Sequence, residues 1–218
     1  MAETLALYTY FRSSAAYRVR IALNLKGLDV DHRFIHLLKD GGQQHGEAYR
    51  AINPQQLIPT LIDNGHAIAQ SLAIIEYLEE THPEPPLLPK GALARARVRQ
   101  IAYAVACDIH PVNNFRVLQR LKRNFAATED QRADWQKHWI ALGFTAIESL
   151  LANAPETGVY CHGDAPSLAD ICLIPQMANA RRVNLDLAPY PTLTRIEQSA
   201  LANPAFAAAQ PKEQRDAE

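Results

Sequence analysis

The sequence predicts two fold classes in one chain: an α/β domain over residues 1–82 and an all-α helical domain over residues 91–218, joined by a linker at 83–90. Three observations carry this. Strand-like patterning is confined to the stretch before residue 70. Alanine, the strongest helix former, rises from 10 of residues 1–82 to 25 of residues 83–218. Between the two, Pro83, Pro85, Pro86 and Pro89 crowd into a few residues, where they stop helices and mark a connection.

Leu5 to Tyr10 alternates and carries β-formers, and Ser13-Ser14 precedes a helical pattern through Tyr17, Val19, Ile21 and Leu25 that stops at Gly27. Val30 to Leu37 reads as a second strand, so the opening is a β-α-β unit with parallel strands. Pro59–Ile62 and His66–Ala69 flank Asn64-Gly65 as a hairpin. Ser71 is expected to cap a helix through Leu72, Ile75 and Leu78 that ends at His82-Pro83. The order β-α-β then β-β-α is that of a thioredoxin-like domain. Beyond the linker, residues 92–125 form a long helical stretch interrupted at Pro111, and residues 130–152 repeat the period. Ser167-Leu168-Ala169-Asp170 is a capping-box variant that opens the most apolar helix, expected in the middle of the bundle. Pro191 and Pro204 each introduce a further helix.

At 218 residues, 48% of them apolar, with 22 basic against 23 acidic side chains, the chain is neither disordered nor fibrous. Its formal charge of −1 provides no field for nucleic acid or an acidic membrane surface, which points to a small partner met by local charges. The acidic opening Met1-Ala2-Glu3 does not read as a leader, and no run reaches the roughly 18 apolar residues of a membrane span. Cys107, Cys161 and Cys172 are odd in number and never in CxxC spacing, which favours a reducing, cytoplasmic setting.

No GxSxG, HExxH or P-loop is present, and His32 and His36 are four apart in an expected strand, where that spacing does not bring two ligands together. No metal is expected. The informative segment is Arg12-Ser13-Ser14-Ala15-Ala16-Tyr17-Arg18, at the N-terminus of the first helix, where a thioredoxin-like fold carries its redox cysteines. Here hydroxyls stand instead. A helix N-terminus presents unpaired N–H groups and about half a positive charge, so it can hold the thiolate of a bound thiol. Ser13 or Ser14 as a plain N-cap is the competing reading, and the two roles are compatible. Gln70-Ser71 opens another helix whose free N–H groups suit a carboxylate. A cis Ile58-Pro59 bond would turn the Ile58 backbone towards a peptide-like ligand.

The segments SSAAYRVRIALNLKG (13–27), NPQQLIPTLID (53–63), QSLAIIEYLEE (70–80), DIHPVNN (108–114), SLADICLIPQ (167–176) and DLAPYPTL (186–193) together resemble the zeta class of glutathione transferases, from Tyr8 to about Pro211. The resemblance implies a glutathione transferase fold, glutathione as cofactor, a homodimer, and isomerisation of the cis double bond of maleylacetoacetate to give fumarylacetoacetate. It implies Ser13 beside the glutathione sulfur, with Ser14, Ala15, Ala16, Tyr17 and Arg18 completing the wall. Gln44 and the Ile58 backbone would hold the cysteinyl and glycyl parts, and Gln70 and Ser71 the γ-glutamyl carboxylate. His110, Asn114, Phe115 and Arg116 fall on further ligand positions of the family.

The expected chemistry is thiolate addition, rotation about the bond thus made single, and elimination. The protein must keep the thiol ionised and stabilise the developing enolate and the carboxylates of a small dicarboxylate substrate. Arginine suits the second task, since its fork binds a carboxylate bidentately. Arg12 is the first candidate, followed by Arg181 or Arg182 and by Arg116; the adjacent pair also reads as ordinary helix C-terminal cations. Many zeta enzymes carry a cysteine where Ala15 stands, so that group is missing here. The alternatives are isomerisation of the shorter maleylpyruvate, glutathione transfer to α-haloacids, and a non-catalytic scaffold. The last would predict a damaged thiol site, whereas the hydroxyls, Gln70-Ser71 and Pro59 are all in place.

Overall fold

A computed structural model describes residues 5–218; Met1–Thr4, with the acidic opening, lie outside the described residues. The chain divides into two compact units. The first holds the residues up to Leu87 together with Ala202–Glu218, and the second is Leu88–Leu201.

In the first unit, β1 (Ala6–Thr9) pairs in parallel with β2 (Asp31–Phe34) and antiparallel with β3 (Thr60–Asp63), which pairs with β4 (His66–Ala69), giving the order β2-β1-β3-β4. The parallel pair follows from the crossover through α1 (Ser14–Leu25), and the hairpin from Asn64 (φ 49) and Gly65 (φ 78), the positive-φ pair that a two-residue turn demands. Leu7, Val19, Ile21, Leu61, Ile74 and Leu78 form the dry core between the sheet, α1 and α3 (Ser71–Thr81). Both outer limits expected for β2 were too wide. After Ile35 donates to the Thr9 carbonyl (3.0 Å), the ladder ends. His36 Nδ1 then accepts the N–H groups of Leu38 (3.1 Å) and Lys39 (2.9 Å), which turns the chain out of the sheet. The short α2 (Glu47–Ile52) had no signature in the sequence reading.

Residues 202–218 differ from the division read in the sequence, which placed them with the second domain. The reason is chemical. Arg20 and Asn24 on α1 need acceptors, and α10 (Pro204–Ala209) supplies them: Arg20 Nε donates to the Ala209 carbonyl (3.2 Å) and Asn24 Nδ2 to that of Ala205 (2.9 Å), while Phe206 is fully buried.

Lys26, at the end of α1, fastens the segment that leaves α3. Its buried ammonium donates to Glu79 Oε2 (2.7 Å) and to the carbonyls of His82 (2.7 Å) and Pro85 (2.9 Å). Glu79 in turn accepts the Leu87 N–H (2.9 and 3.0 Å).

The second unit is helical: α4 (Ala92–Tyr103), a π-helical turn (Ala104–Ile109), α5 (His110–Val112), α6 (Phe115–Phe125), α7 (Glu129–Ala152), α8 (Leu168–Arg182) and α9 (Pro191–Ala202). The interruption expected at Pro111 falls instead at Asn113-Asn114. The backbone stays helical from α4 through the π-turn and across Pro111 to Val112, and Asn114 Oδ1 caps α6 by accepting the Arg116 N–H (3.1 Å). Gly143 on α7 lets the π-turn lie close, because a Cβ there would stand 2.2 Å from Ile109 Cδ1. Helix α8 is buried along almost its whole length, as its apolar sequence predicts. Asp170 in its first turn accepts the Cys161 N–H (2.8 Å) and the Ser167 N–H (2.9 Å) and hydroxyl (2.8 Å). Burial pushes its carboxyl above the usual range, against the pull of these donors. No described helix is long and apolar enough to cross a membrane.

Lys26→Met should lower the unfolding free energy by about 3 kcal/mol in urea denaturation, because it leaves a largely buried carboxylate and two carbonyls without their cation. A loss below about 1 kcal/mol would show that water replaces the ammonium there.

Candidate active site

The site in the first unit is built at three chain reversals. The first is the turn from β1 into α1. Ser13 donates its N–H to the Tyr10 carbonyl (3.0 Å), and its Oγ accepts the Ala16 N–H (3.2 Å). Ser13 is therefore the N-cap, and the same oxygen keeps its own hydrogen to donate. Capping and donation to an anion are compatible here because they use different parts of one hydroxyl. Arg12 beside it is exposed, with its guanidinium carbon 5.5 Å from the centroid of the Phe11 ring.

Of the wall implied at 13–18, Ser13, Ser14 and Ala15 keep partly open side chains, whereas Ala16, Tyr17 and Arg18 turn theirs into the core. Those three can meet a ligand only through the main chain. Arg18, 2% exposed, instead donates to Ser71 Oγ (3.2 Å), so it holds the second reversal to the first.

That second reversal is Gln70-Ser71. Ser71 is the first residue of α3 and its hydroxyl serves Arg18, so it is not the cap expected for it; Gln70 occupies that place at φ 73, ψ 118. A glutamine there costs on the order of 1–3 kcal/mol, which the surroundings sustain by holding Gln70 Nε2 on Gln55 Oε1 (2.7 Å). Such a conformation bares the N-terminus of α3.

The third reversal is the segment before Pro59, with Ile58-Pro59 cis. Tyr49 and Asn53 clamp it: the Tyr49 hydroxyl (2.6 Å) and Asn53 Nδ2 (2.8 Å) both donate to the Leu57 carbonyl, and both also meet Thr60 Oγ1. Tyr10, Phe11 and Ile58 pack together, which joins this segment to the serine turn. Gln44 completes the set. It is 5% exposed, its Nε2 lies 3.1 Å from His45 Nε2, and its Oε1 is a buried acceptor with no partner. Gly42, at φ 101, is required there, since a Cβ would fall 2.7 Å from Gln44 Nε2. Tyr49, Asn53 and Gln55 act on the site from α2 and the loop after it. The Asn53-Pro54 dipeptide is a turn signal that could have pointed at that region.

Comparison with known proteins identifies the family. Residues 7–86 match the family described as glutathione S-transferase, N-terminal domain. A probable maleylacetoacetate isomerase of Vibrio cholerae is 48% identical over 98% of this chain and 99% of its own length. The chain belongs to the zeta-class glutathione transferase family. A zeta-class maleyl pyruvate isomerase structure superposes with a TM-score of 0.94 at 45% identity, covering 98% of this chain and 100% of that one. A maleylacetoacetate isomerase of Methylobacterium extorquens AM1, solved with malonate and glutathione bound, also gives 0.94, at 42% identity over 98% of this chain and 99% of that one.

The remaining candidates of this zeta-class chain lie on the second unit. His110 opens α5 directly after the π-turn. Asn114 caps α6, so its oxygen is engaged and its amide hydrogens remain; Phe115 and Arg116 follow on the exposed first turn of α6. The two arginines at the end of α8 differ. Arg181 Nε donates to both oxygens of Glu197 (2.9 and 3.1 Å), and its Nη2 also contacts Oε2. Glu197 is 3% exposed, so Arg181 neutralises a buried carboxylate, and the ion pair holds the arginine pKa up. Arg182 is exposed on the last turn of α8.

Two outcomes are expected. Ser13→Ala should raise the pH at which the rate develops and lower kcat by about 10-fold or more, the usual cost of losing one donor to a developing anion, with glutathione affinity nearly unchanged. An unshifted pH–rate profile would leave Ser13 a cap only. Arg181→Ala should lower stability by about 2–3 kcal/mol by stranding Glu197, whereas Arg182→Ala should raise KM for the diacid.

Proposed function

We propose that this zeta-class chain catalyses the glutathione-dependent cis-trans isomerisation of maleylacetoacetate to fumarylacetoacetate. The observation that carries the reading is the Ser13 hydroxyl, which caps α1 with its oxygen and so directs its hydrogen outward at the positive end of that helix.

The residues fit glutathione. The partnerless buried oxygen of Gln44 suits a peptide N–H, and the N-terminus of α3 at Gln70-Ser71 suits a carboxylate. The Ile58 segment is held rigid by Tyr49 and Asn53 for a main-chain contact. Bound glutathione supplies the thiol that adds to the alkene, leaves that bond single while it rotates, and departs unconsumed.

What the chain contributes follows from its charges. Ser13 O–H and the α1 N-terminus favour the ionised thiol over the neutral one and lower its pKa. Arg12, exposed and resting on the Phe11 ring, provides a fork for a substrate carboxylate and for charge developing on the conjugated ketone. Arg116 and Arg182 are the further carboxylate ligands assigned on the second unit. Ala15 leaves the segment without a thiol of its own, so the only nucleophile is the one that is bound.

Maleylpyruvate is the alternative substrate, since a maleyl pyruvate isomerase and a maleylacetoacetate isomerase superpose equally well, at 0.94. Transfer of glutathione to α-haloacids is a third use of the same thiolate. We place the protein in the cytoplasm as a homodimer; its buried thiols Cys161 and Cys172 are consistent with a reducing compartment.

Purified protein should convert maleylacetoacetate only when glutathione is present, with total glutathione constant at the end of the reaction. Equal or faster turnover of maleylpyruvate would reassign the substrate. Glutathione consumed in proportion to turnover would replace isomerisation by transfer.

A further inference from the structure

The segment 202–218 reaches the serine turn. Arg20, buried on α1, donates Nη1 to Thr9 Oγ1 (3.1 Å) and the Tyr10 carbonyl (3.3 Å), Nη2 to the Phe11 carbonyl (3.3 Å), and Nε to the Ala209 carbonyl (3.2 Å). From the other side, Asp216 Oδ2 accepts the Phe11 N–H (2.9 Å). The Tyr10–Phe11 peptide is thus held at both ends, its carbonyl by Arg20 and its N–H by Asp216, and the Phe11–Arg12 peptide is held at its carbonyl by Arg20. A second limb acts at the loop leading to Gln44. Glu218 contacts Lys39 Nζ, and its Oε1 lies 3.5 Å from His36 Nε2. Because His36 Nδ1 accepts two main-chain N–H groups, Nε2 carries the imidazole hydrogen and faces Glu218.

We propose that Asp216 is a positioning residue for the isomerisation: by accepting the Phe11 N–H it holds the turn Tyr10–Ser13, and so sets where the Ser13 hydroxyl and the Arg12 guanidinium stand. The geometry makes this specific. Ser13 N–H is bonded to the Tyr10 carbonyl, so any swing of the Phe11 peptide carries Ser13 with it. The tail has independent anchorage through buried Phe206, the Asn24 contact to Ala205 and the Arg20 contact to Ala209, so losing the Asp216 carboxylate removes the hold on the Phe11 N–H without releasing α10 and leaves the Tyr10–Phe11 peptide held through its carbonyl alone. Displacing a donor by about 1 Å can cost up to 100-fold in rate while leaving peripheral contacts intact.

The inference rests on the isomerase reading, and its test separates the two. Hydrogen exchange at the Phe11 amide is measured without glutathione, glutathione affinity by calorimetry, and kcat and KM with the cis-diketo acid, for Asp216→Ala and Asp216→Asn. Asp216→Ala is expected to speed Phe11 exchange by about 10-fold or more and to lower kcat by about 10-fold, with the glutathione Kd within about twofold of the unmutated value. Asp216→Asn, which keeps an acceptor oxygen, is expected to restore both. Unchanged exchange in Asp216→Ala would overturn the proposal, as would faster exchange with unchanged kcat, or a kcat loss matched by an equal loss of glutathione affinity. Should the unmutated protein isomerise neither diketo acid, the functional reading fails. The exchange and Kd measurements then still decide whether Asp216 orders the turn.

Discussion

The guanidinium of Arg20 is the constraint on which the first unit depends. It is a buried cation whose direct partners are a threonine hydroxyl and three carbonyls, and burial pushes its pKa down to about 10, still well above neutrality. Such a charge is tolerated only where every N–H finds an acceptor. That requirement explains the path of the chain at two distant places at once: the end of β1 must present the carbonyls of Tyr10 and Phe11 inward, and α10 must bring that of Ala209 across. A lysine could not do this, because one ammonium cannot span acceptors spread over the width of a planar fork.

From that point the rest of the pocket is assembled by fixed reversals more than by long elements. Strands of four residues end at the serine turn, at the cis-proline segment and at the Gln70 conformation, each pinned by side chains from elsewhere: Arg20, Tyr49 with Asn53, and Gln55 with Arg18. Local charge does the recognition. A chain of formal charge −1 has no overall field, so under the proposed function an anionic thiol and a dianionic substrate are left to a helix end and to individual arginines.

What could be read in the sequence divides along the same line. The hairpin at Asn64-Gly65, the stop at Gly27 and the burial of α8 were legible because each rests on a short-range rule: positive φ, helix termination, apolar periodicity. The serines at 13 and 14 were legible for the same reason, as cap residues before a helix. Long-range choices were not. Nothing local in Arg18 says that it will be spent on Ser71, and nothing in Arg181 says that Glu197, sixteen residues on, will occupy it. The placement of 202–218 is a third case, since alanine-rich helix signals do not say which core they cover. Pro111 misled because proline was read as a break, whereas the backbone runs helical across it, just after a π-turn, and the asparagines that follow do the breaking.

Ser13 and Asn114 share a property that follows from their capping bonds. Each has an oxygen and a hydrogen-bearing group, and each has given its oxygen to a main-chain N–H of the helix it starts. One lone pair of that oxygen is spent and the hydrogens are not, so each group is tipped towards donation. The bias resides in the capping side chain and not in the helix start itself, and it would go with Ser13 or Asn114 even where another residue kept the helix in place.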